Sequence, residues 1–388
     1  MAYARSWIDG EHAAPIRVAA ATHEAHTSKP NAQLDAARAA ASAGSSVLVL
    51  PVVFLHCLLG DASQFRLFEG HLHRALRTVA ASRPAGAPRL ILDCWLPEAR
   101  NHGASAHTDA HSLTLLSRDI DSFLRKHKQA MRQPPLLVGH SQGAKAIMAF
   151  ALTHAQTTEQ SCSDASGHSS DVSPSSPSAS AAAASASLSP LGLVLFDASP
   201  AAYTHVHSEI FSAMHSLRLE TVRSKREAEE QLRPMLTSPS DRAFVLSNLV
   251  ERSAATGAAA SSATSSSPVP PPVPPPPSSS FHWRVNLSVL HRDERLIHGW
   301  PVPPPPELSL SGLGPVCLTP TLFIGGGLST RLTRAEYLAA LPAYFPNHTL
   351  SMIPSAAHFV HQSHGAECAA QVVEFAWRLR GLPDAATP

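Results

Sequence analysis

The chain has 388 residues, a formal net charge of +1 and only 15% charged residues, so it has the length of one α/β domain with insertions and no long-range electrostatic field. Nucleic acid, anionic lipid surfaces and highly charged substrates are disfavoured as partners. Cys57, Cys94, Cys162, Cys317 and Cys368 are scattered, with neither CxxC spacing nor disulfide-scaffold density, which fits a reducing compartment.

Residues 1–10 carry Asp9 and lack an apolar h-region, so no secretory signal is expected. Asp9, Glu11, Glu24 and Asp35 among few arginines also make a poor presequence, and the expected location is intracellular, cytoplasmic or mitochondrial, not secreted. The longest apolar run, 47–55, falls far short of the ~20 residues needed to cross a bilayer, so no transmembrane segment is expected. It reads instead as a buried strand, 47–56.

A helix follows, with Ser63 as its N-cap and Phe65, Phe68, Leu72, Leu76 and Val79 on one face. Next come a strand over 89–94, a helix carrying Leu113, Leu116, Ile120, Phe123 and Leu124, and a strand over 135–139. A helix after Ser141 bears Ile147, Met148, Ala151 and Leu152, and leads toward a strand over 191–197. From 207 to 250, charged residues interleave with Leu219, Val222, Leu232, Phe244, Leu246 and Leu249; this pattern suggests a helical cap, bounded at about 201–252. Strands over 319–324 and 348–353 and a helix over 365–380 complete the series. Alternating strands and helices imply a single α/β domain with a mostly parallel central sheet of buried strands, flanked by helices.

Three stretches, about 19–46, 156–188 and 253–280, are too poor in large apolar residues to bury a core and are expected to be disordered low-complexity insertions. The third contains a proline run opening at Pro268 and closing at Pro277, which favours polyproline II. Such a run can make a weak contact with an SH3 or WW domain, but it lacks a flanking basic anchor, and a solvated linker is the preferred reading.

Gly139-His140-Ser141-Gln142-Gly143 matches G-x-S-x-G and lies between a strand and a helix, the context in which a strained turn exposes a nucleophilic hydroxyl. Serine is a weak nucleophile at neutral pH, so it needs a base and donors for the developing oxyanion. The Gln142 N–H, at the start of a helix, is one expected donor. The Leu58 N–H, in the loop after the first buried strand, is the other. His358 follows the last strand and takes the place of the base in the chain order Ser, acid, His. His361 and His364 continue its i, i+3, i+6 series, but no acidic or cysteine ligand accompanies them and no metal site is expected. Two strand ends compete to supply the acid. Leu195-Phe196-Asp197 ends in a carboxylate, whereas Gly327-Leu328-Ser329 offers a hydroxyl, so Asp197 is assigned the acid and Ser329 possible support. A plainer role for Asp197 is to cap the following turn.

Several of these segments resemble the α/β-hydrolase domain-containing protein 11 family and related bacterial esterases. The similarity runs through Val52-Val53-Phe54-Leu55-His56-Cys57-Leu58-Leu59-Gly60, Arg100-Asn101-His102-Gly103-Ala104-Ser105 and the Ser141 pentapeptide with Ala144-Lys145. It continues in Phe196-Asp197-Ala198-Ser199-Pro200, Phe281-His282-Trp283-Arg284-Val285-Asn286-Leu287 and Ala357-His358-Phe359-Val360-His361. The resemblance implies an α/β-hydrolase fold with a helical cap and a serine hydrolase of acyl esters or thioesters, with triad roles on Ser141, Asp197 and His358 and no cofactor. The chain departs at Cys57, where the family has glycine, and in the long 156–188 stretch. A catalytically silent interaction protein on the same fold is the alternative from another class.

Overall fold

The computed structural model describes residues 1–9, 14–21, 47–83, 87–165, 189–204, 208–251, 281–303 and 316–382. Six parallel strands form the centre: β3 (Val47–Leu55), β4 (Arg89–Pro97), β5 (Leu136–His140), β6 (Gly192–Phe196), β9 (Thr321–Gly326) and β10 (His348–Ile353). With β1 (Tyr3–Ile8) and β2 (Ile16–Ala21) they make one eight-stranded sheet in the order β10-β9-β6-β5-β3-β4-β1-β2. β5 and β6 are buried along their whole length, as strands covered on both faces must be, which explains their unbroken apolar composition.

The helices α1 (Arg66–Ala81) and α10 (Gly365–Leu379) cover one face, where Phe68, Leu72 and Leu76 meet Val372, Val373 and Trp377 in a single apolar cluster. On the other face α2 (Leu113–Met131), α3 (Gln142–Ala165) and α9 (Ala335–Tyr344) bury Leu116, Ile120, Ile147, Met148 and Leu341. Cys57, Cys94, Cys317 and Cys368 are free and buried within this framework.

Four details differ from the sequence expectation. The first helix is entered through a 3-10 turn, Ala62–Phe65, capped by Asp61 rather than by Ser63: the carboxylate accepts the Ser63 N–H at 2.6 Å, and Ser63 is exposed. A carboxylate competes better than a hydroxyl because its other oxygen is simultaneously paired with Arg284. Second, β10 is an edge strand, half exposed rather than buried, because only β9 pairs with it. Third, the strand expected at 89–94 continues to Pro97. Fourth, β1 and β2 were not anticipated, since polar Arg5 and Ser6 interrupt any apolar run. The buried carboxylate of Asp93, mid-strand in β4, is met from the antiparallel β1 by a two-pronged Arg5 contact at 2.8 and 2.9 Å.

β2 runs into the first low-complexity stretch and α3 into the second; residues 22–46, 166–188 and 252–280, with the proline run at 268–277, lie outside the described residues. No described helix is long and apolar enough to cross a membrane.

Between β6 and β9 the chain forms α4 (Ser208–Ser216), α5 (Lys225–Leu232), α6 (Pro239–Ser247), the short ribbon β7 (Leu249–Glu251) and β8 (Phe281–Trp283), α7 (Leu287–Arg292) and α8 (Glu294–His298). This layer packs on Leu58 and Leu59, in the loop after β3, through Phe211, Met214, Leu249, Phe281 and Leu290. Polar pins fix it: Asn248 Nδ2 donates to Leu59 O at 2.8 Å, Arg284 pairs with Asp61, and Asn286 N donates to Asn101 O at 2.9 Å. The motif from Phe281 to Leu287 is therefore the seam by which this layer returns to the sheet.

Lys145, on α3, forms a second seam. It is 1% exposed, and its ammonium donates to Ala201 O and His298 O at 2.9 Å and to Gly299 O at 2.8 Å while lying 3.9 Å from the centre of the Tyr203 ring. Burial, with Arg331 nearby, holds its pKa well below that of an ordinary lysine. Lys145→Met keeps the volume but strands three buried carbonyls, so the urea midpoint should fall by an amount equivalent to about 2–4 kcal/mol. An unchanged midpoint would show that the tether holds nothing.

Candidate active site

Ser141 occupies the single-residue bend between the end of β5 and the start of α3, at φ +54°, a left-handed conformation that a serine adopts only under constraint. The glycines on either side make the bend possible. A Cβ on Gly139 would stand 2.6 Å from Ala144 N, and one on Gly143 would overlap the carbonyl of Leu55 at the end of β3. The sheet edge and the helix thus close on the serine from both sides, leaving its hydroxyl to project.

The loop after β10 delivers His358, whose Nε2 is 3.0 Å from Ser141 Oγ and whose Nδ1 is 2.6 Å from Asp197 Oδ2. Asp197 ends β6, is fully buried and is also held at positive φ, +48°. Its carboxylate accepts further hydrogen bonds from Ser329 Oγ at 2.5 Å and Gly326 N at 3.1 Å, both from the end of β9. Three neighbouring strand ends and one loop therefore bring Ser141, His358, Asp197 and Ser329 into one hydrogen-bonded line. Asp197 is more than a turn cap, because its Oδ2 faces the imidazole. A carboxylate with this many donors is acceptor-only, so His358 carries its proton on Nδ1 and turns a lone pair toward the serine hydroxyl.

Of the two expected donors, Gln142 follows the serine directly, and Leu58 lies in the loop after β3, where the carbonyls of Leu55 and His56 stand against Gly143. In the loop after β3, Cys57 N donates to Gln64 Oε1 at 2.9 Å, Leu59 N to His102 Nε2 at 3.0 Å and Gly60 N to Cys57 O at 3.0 Å. Among the described residues, the Leu58 N–H between them donates to no acceptor, and neither does the Gln142 N–H at the first position of α3. Two imidazoles shape that loop: His56 Nδ1 meets Cys57 O at 2.8 Å while its Nε2 accepts the Ala99 N–H at 3.0 Å, and His102 Nδ1 meets Arg100 O at 2.9 Å. Burial lowers the pKa of both, and each serves as a neutral spacer. Cys57, the departure from the family glycine, is 3% exposed, and burial pushes its thiol up to about 12, so it behaves as a small apolar group.

The sequence reading gave no role to two side chains that bridge these parts. His140, immediately before the serine, is fully buried, and Gln64 hydrogen-bonds its ring at 2.8 Å. Nothing in 23 scattered histidines marks His140 except its place inside the pentapeptide, and Gln64 lies in a helix entry whose pattern speaks only of packing. His361 packs against Phe65, Phe196 and His140 inside the apolar layer.

A family model described as the alpha/beta hydrolase family matches residues 52–371. The chain is 25% identical over 332 residues to a Danio rerio protein named sn-1-specific diacylglycerol lipase ABHD11, covering 84% of this chain and 78% of that one. A Xenopus laevis protein of the same name is 29% identical over 316 residues, covering 81% and 76%. Among solved structures, a marine microorganism esterase superposes with a TM-score of 0.56 at 18% identity, covering 84% of this chain and 95% of the esterase.

Proposed function

This chain belongs to the alpha/beta hydrolase family, and from that premise we propose that it is a serine hydrolase that cleaves carboxylic esters through Ser141, His358 and Asp197. The observation that carries the reading is the position of one imidazole, 3.0 Å from the Ser141 hydroxyl on one side and 2.6 Å from the buried Asp197 carboxylate on the other. Ser141 Oγ attacks the acyl carbonyl while His358 Nε2 takes its proton, and the tetrahedral oxyanion is held by the N–H groups of Leu58 and Gln142. As the intermediate collapses, the bond to the alcohol breaks and His358 returns the proton to the leaving oxygen. Water then attacks the acyl-enzyme, giving its proton to His358; collapse releases the acid and restores the serine hydroxyl. Asp197 keeps the imidazole in the correct tautomer and stabilises the imidazolium, and Ser329 supports the carboxylate.

Acyl thioesters would follow the same path with a thiolate leaving group. The names of the fish and frog relatives make an acylglycerol ester the first substrate class to try. No metal or organic cofactor enters these steps. Free, buried cysteines suit a reducing compartment, and we place the protein inside the cell, in the cytoplasm or the mitochondrion.

The test is to react the folded protein with a serine-directed fluorophosphonate, map the adduct by peptide mass, and assay esters and thioesters of graded acyl length. An adduct on Ser141 together with turnover is expected. Folded protein that neither labels at Ser141 nor hydrolyses any member of the series would instead be an interaction protein on a hydrolase scaffold.

A further inference from the structure

Two parts of this site that must be registered with each other come from distant places. The oxyanion amide of Leu58 follows β3 and the base His358 follows β10, and three strands, β5, β6 and β9, separate β3 from β10 in the sheet. A developing oxyanion and a proton in transfer tolerate little misplacement between donor and base. β3 and β10 do not pair with each other directly across that distance.

A file of three hydrogen bonds does span it. Cys57 N, adjacent to Leu58, donates to Gln64 Oε1 at 2.9 Å; Gln64 Nε2 meets His140 Nδ1 at 2.8 Å; and His140 Nε2 meets the backbone carbonyl of His358 at 2.9 Å. Only one proton arrangement satisfies all three. The His358 carbonyl can only accept, so His140 carries its proton on Nε2 and accepts at Nδ1. Gln64 must then present its NH₂ to His140 and its oxygen to Cys57. All three bonds point the same way, each polarising the next. His140 is completely buried, its ring centre 4.7 Å from that of His358 and 4.5 Å from that of His361. Burial, with those two neighbours, holds its pKa well below the usual imidazole range, so the single-proton arrangement persists at working pH.

We propose that Gln64 is a positioning residue for the hydrolysis, holding the Leu58 oxyanion amide and the His358 imidazole in register through His140. This rests on the triad reading above. Gln64 touches neither substrate nor reacting atom; it acts through the loop on one side and the base on the other. The geometry it maintains matters most when the oxyanion has formed, so its loss should appear in kcat and leave ground-state binding nearly untouched.

Gln64→Leu removes both ends of the relay. Gln64→Glu keeps an acceptor for Cys57 N–H but has no N–H for His140, so it severs only the end that leads to the base. Both variants are to be measured alongside wild type for kcat, KM, thermal midpoint and affinity for an aryl boronic acid that forms a tetrahedral adduct on the serine. We expect kcat to fall 10- to 100-fold in Gln64→Leu and by a smaller factor in Gln64→Glu, KM to move less than twofold, and boronate affinity to fall in step with kcat. The double variant Gln64→Leu, His140→Phe should be no slower than His140→Phe alone, because both cut one file.

Wild-type turnover with a kcat in both Gln64 variants within twofold of it would overturn the inference and leave the triad reading standing. A loss confined to KM, or additive losses in the double variant, would overturn it equally. Should Gln64→Leu not fold, Gln64→Glu, which remains polar at a half-buried position, decides alone. A wild-type protein without Ser141 labelling or turnover would instead bring down the reading on which the inference stands.

Discussion

Ser141→Ala is expected to lower kcat/KM for any ester the wild type cleaves by about 10⁵ to 10⁶-fold, and Asp197→Asn by about 10⁴-fold, with the double variant no slower than Ser141→Ala alone. On the proposed mechanism, the serine variant removes the attacking atom and leaves only what the Leu58 and Gln142 amides and substrate binding contribute, roughly 10³-fold over water. The aspartate variant acts through the tautomer. An amide in place of the carboxylate turns an N–H toward His358 Nδ1, now 2.6 Å from Asp197 Oδ2, and drives the imidazole proton to Nε2, where it faces Ser141 Oγ and cannot accept. Ser329 and Gly326 N, both donors to Asp197, cannot restore the charge. Steady-state kinetics on the three proteins checks this, with circular dichroism to establish folding. Equal activity in wild type and Ser141→Ala would move the chemistry elsewhere, and multiplicative losses would mean that the two residues do not act as a unit.

The elements of this constellation were legible in the sequence to different degrees, for physical reasons. The Ser141 turn could be read because its backbone strain demands glycine at 139 and 143, and such a demand leaves a fixed spacing. His358 and Asp197 could be placed because each ends or follows a strand, and parallel strands announce themselves as short apolar runs. β1 and β2 left no such trace: Arg5 answers a buried carboxylate 88 positions away, a pairing invisible to any local window. The same holds for Gln64 and His140, whose partners, Cys57 N and His358 O, are backbone atoms and carry no residue signature. The cap of the first helix went to Asp61 because Arg284, returning from the helical layer, selects a carboxylate there. What sequence patterns miss here is long-range polar pairing; what they reveal is local backbone constraint and apolar period.

The protein is also expected to lose stability as pH falls below about 6.5, losing on the order of 3 kcal/mol or more between pH 7.5 and 5.5. The cause is a set of imidazoles, the buried His56, His102, His111, His140 and His361 and the half-buried His127, each with its pKa depressed chiefly by burial, to about 3 for His111 and His361 and about 4 for His127. In the unfolded chain each binds a proton near pH 6.5 while the folded chain refuses it, so the unfolded state takes up more protons as pH falls. Their stability contribution is complete above about 6.5 and drains away on acidification until the folded-state values are reached. At pH 5.5 His111 and His361, whose folded-state values lie far below that pH, cost about 1.4 kcal/mol each, and the other depressed imidazoles add to that loss. Glu69 works in the opposite direction: burial raises its carboxyl pKa, so acid favours its folded form, but as one group acting near pH 4.5 and above it offsets little of the histidine effect. Urea midpoints across the range decide the matter, and a midpoint flat from pH 7.5 to 5.5 would refute the account. His361 isolates the mechanism. Among the described residues neither of its ring nitrogens has a hydrogen-bond partner, and Phe65, Phe68 and Phe196 surround it. His361→Phe therefore forfeits no hydrogen bond and deletes one of the protons taken up on unfolding. The pH slope of stability should become shallower, and the variant should gain about 1.4 kcal/mol over wild type at pH 5.5 relative to its difference at pH 7.5.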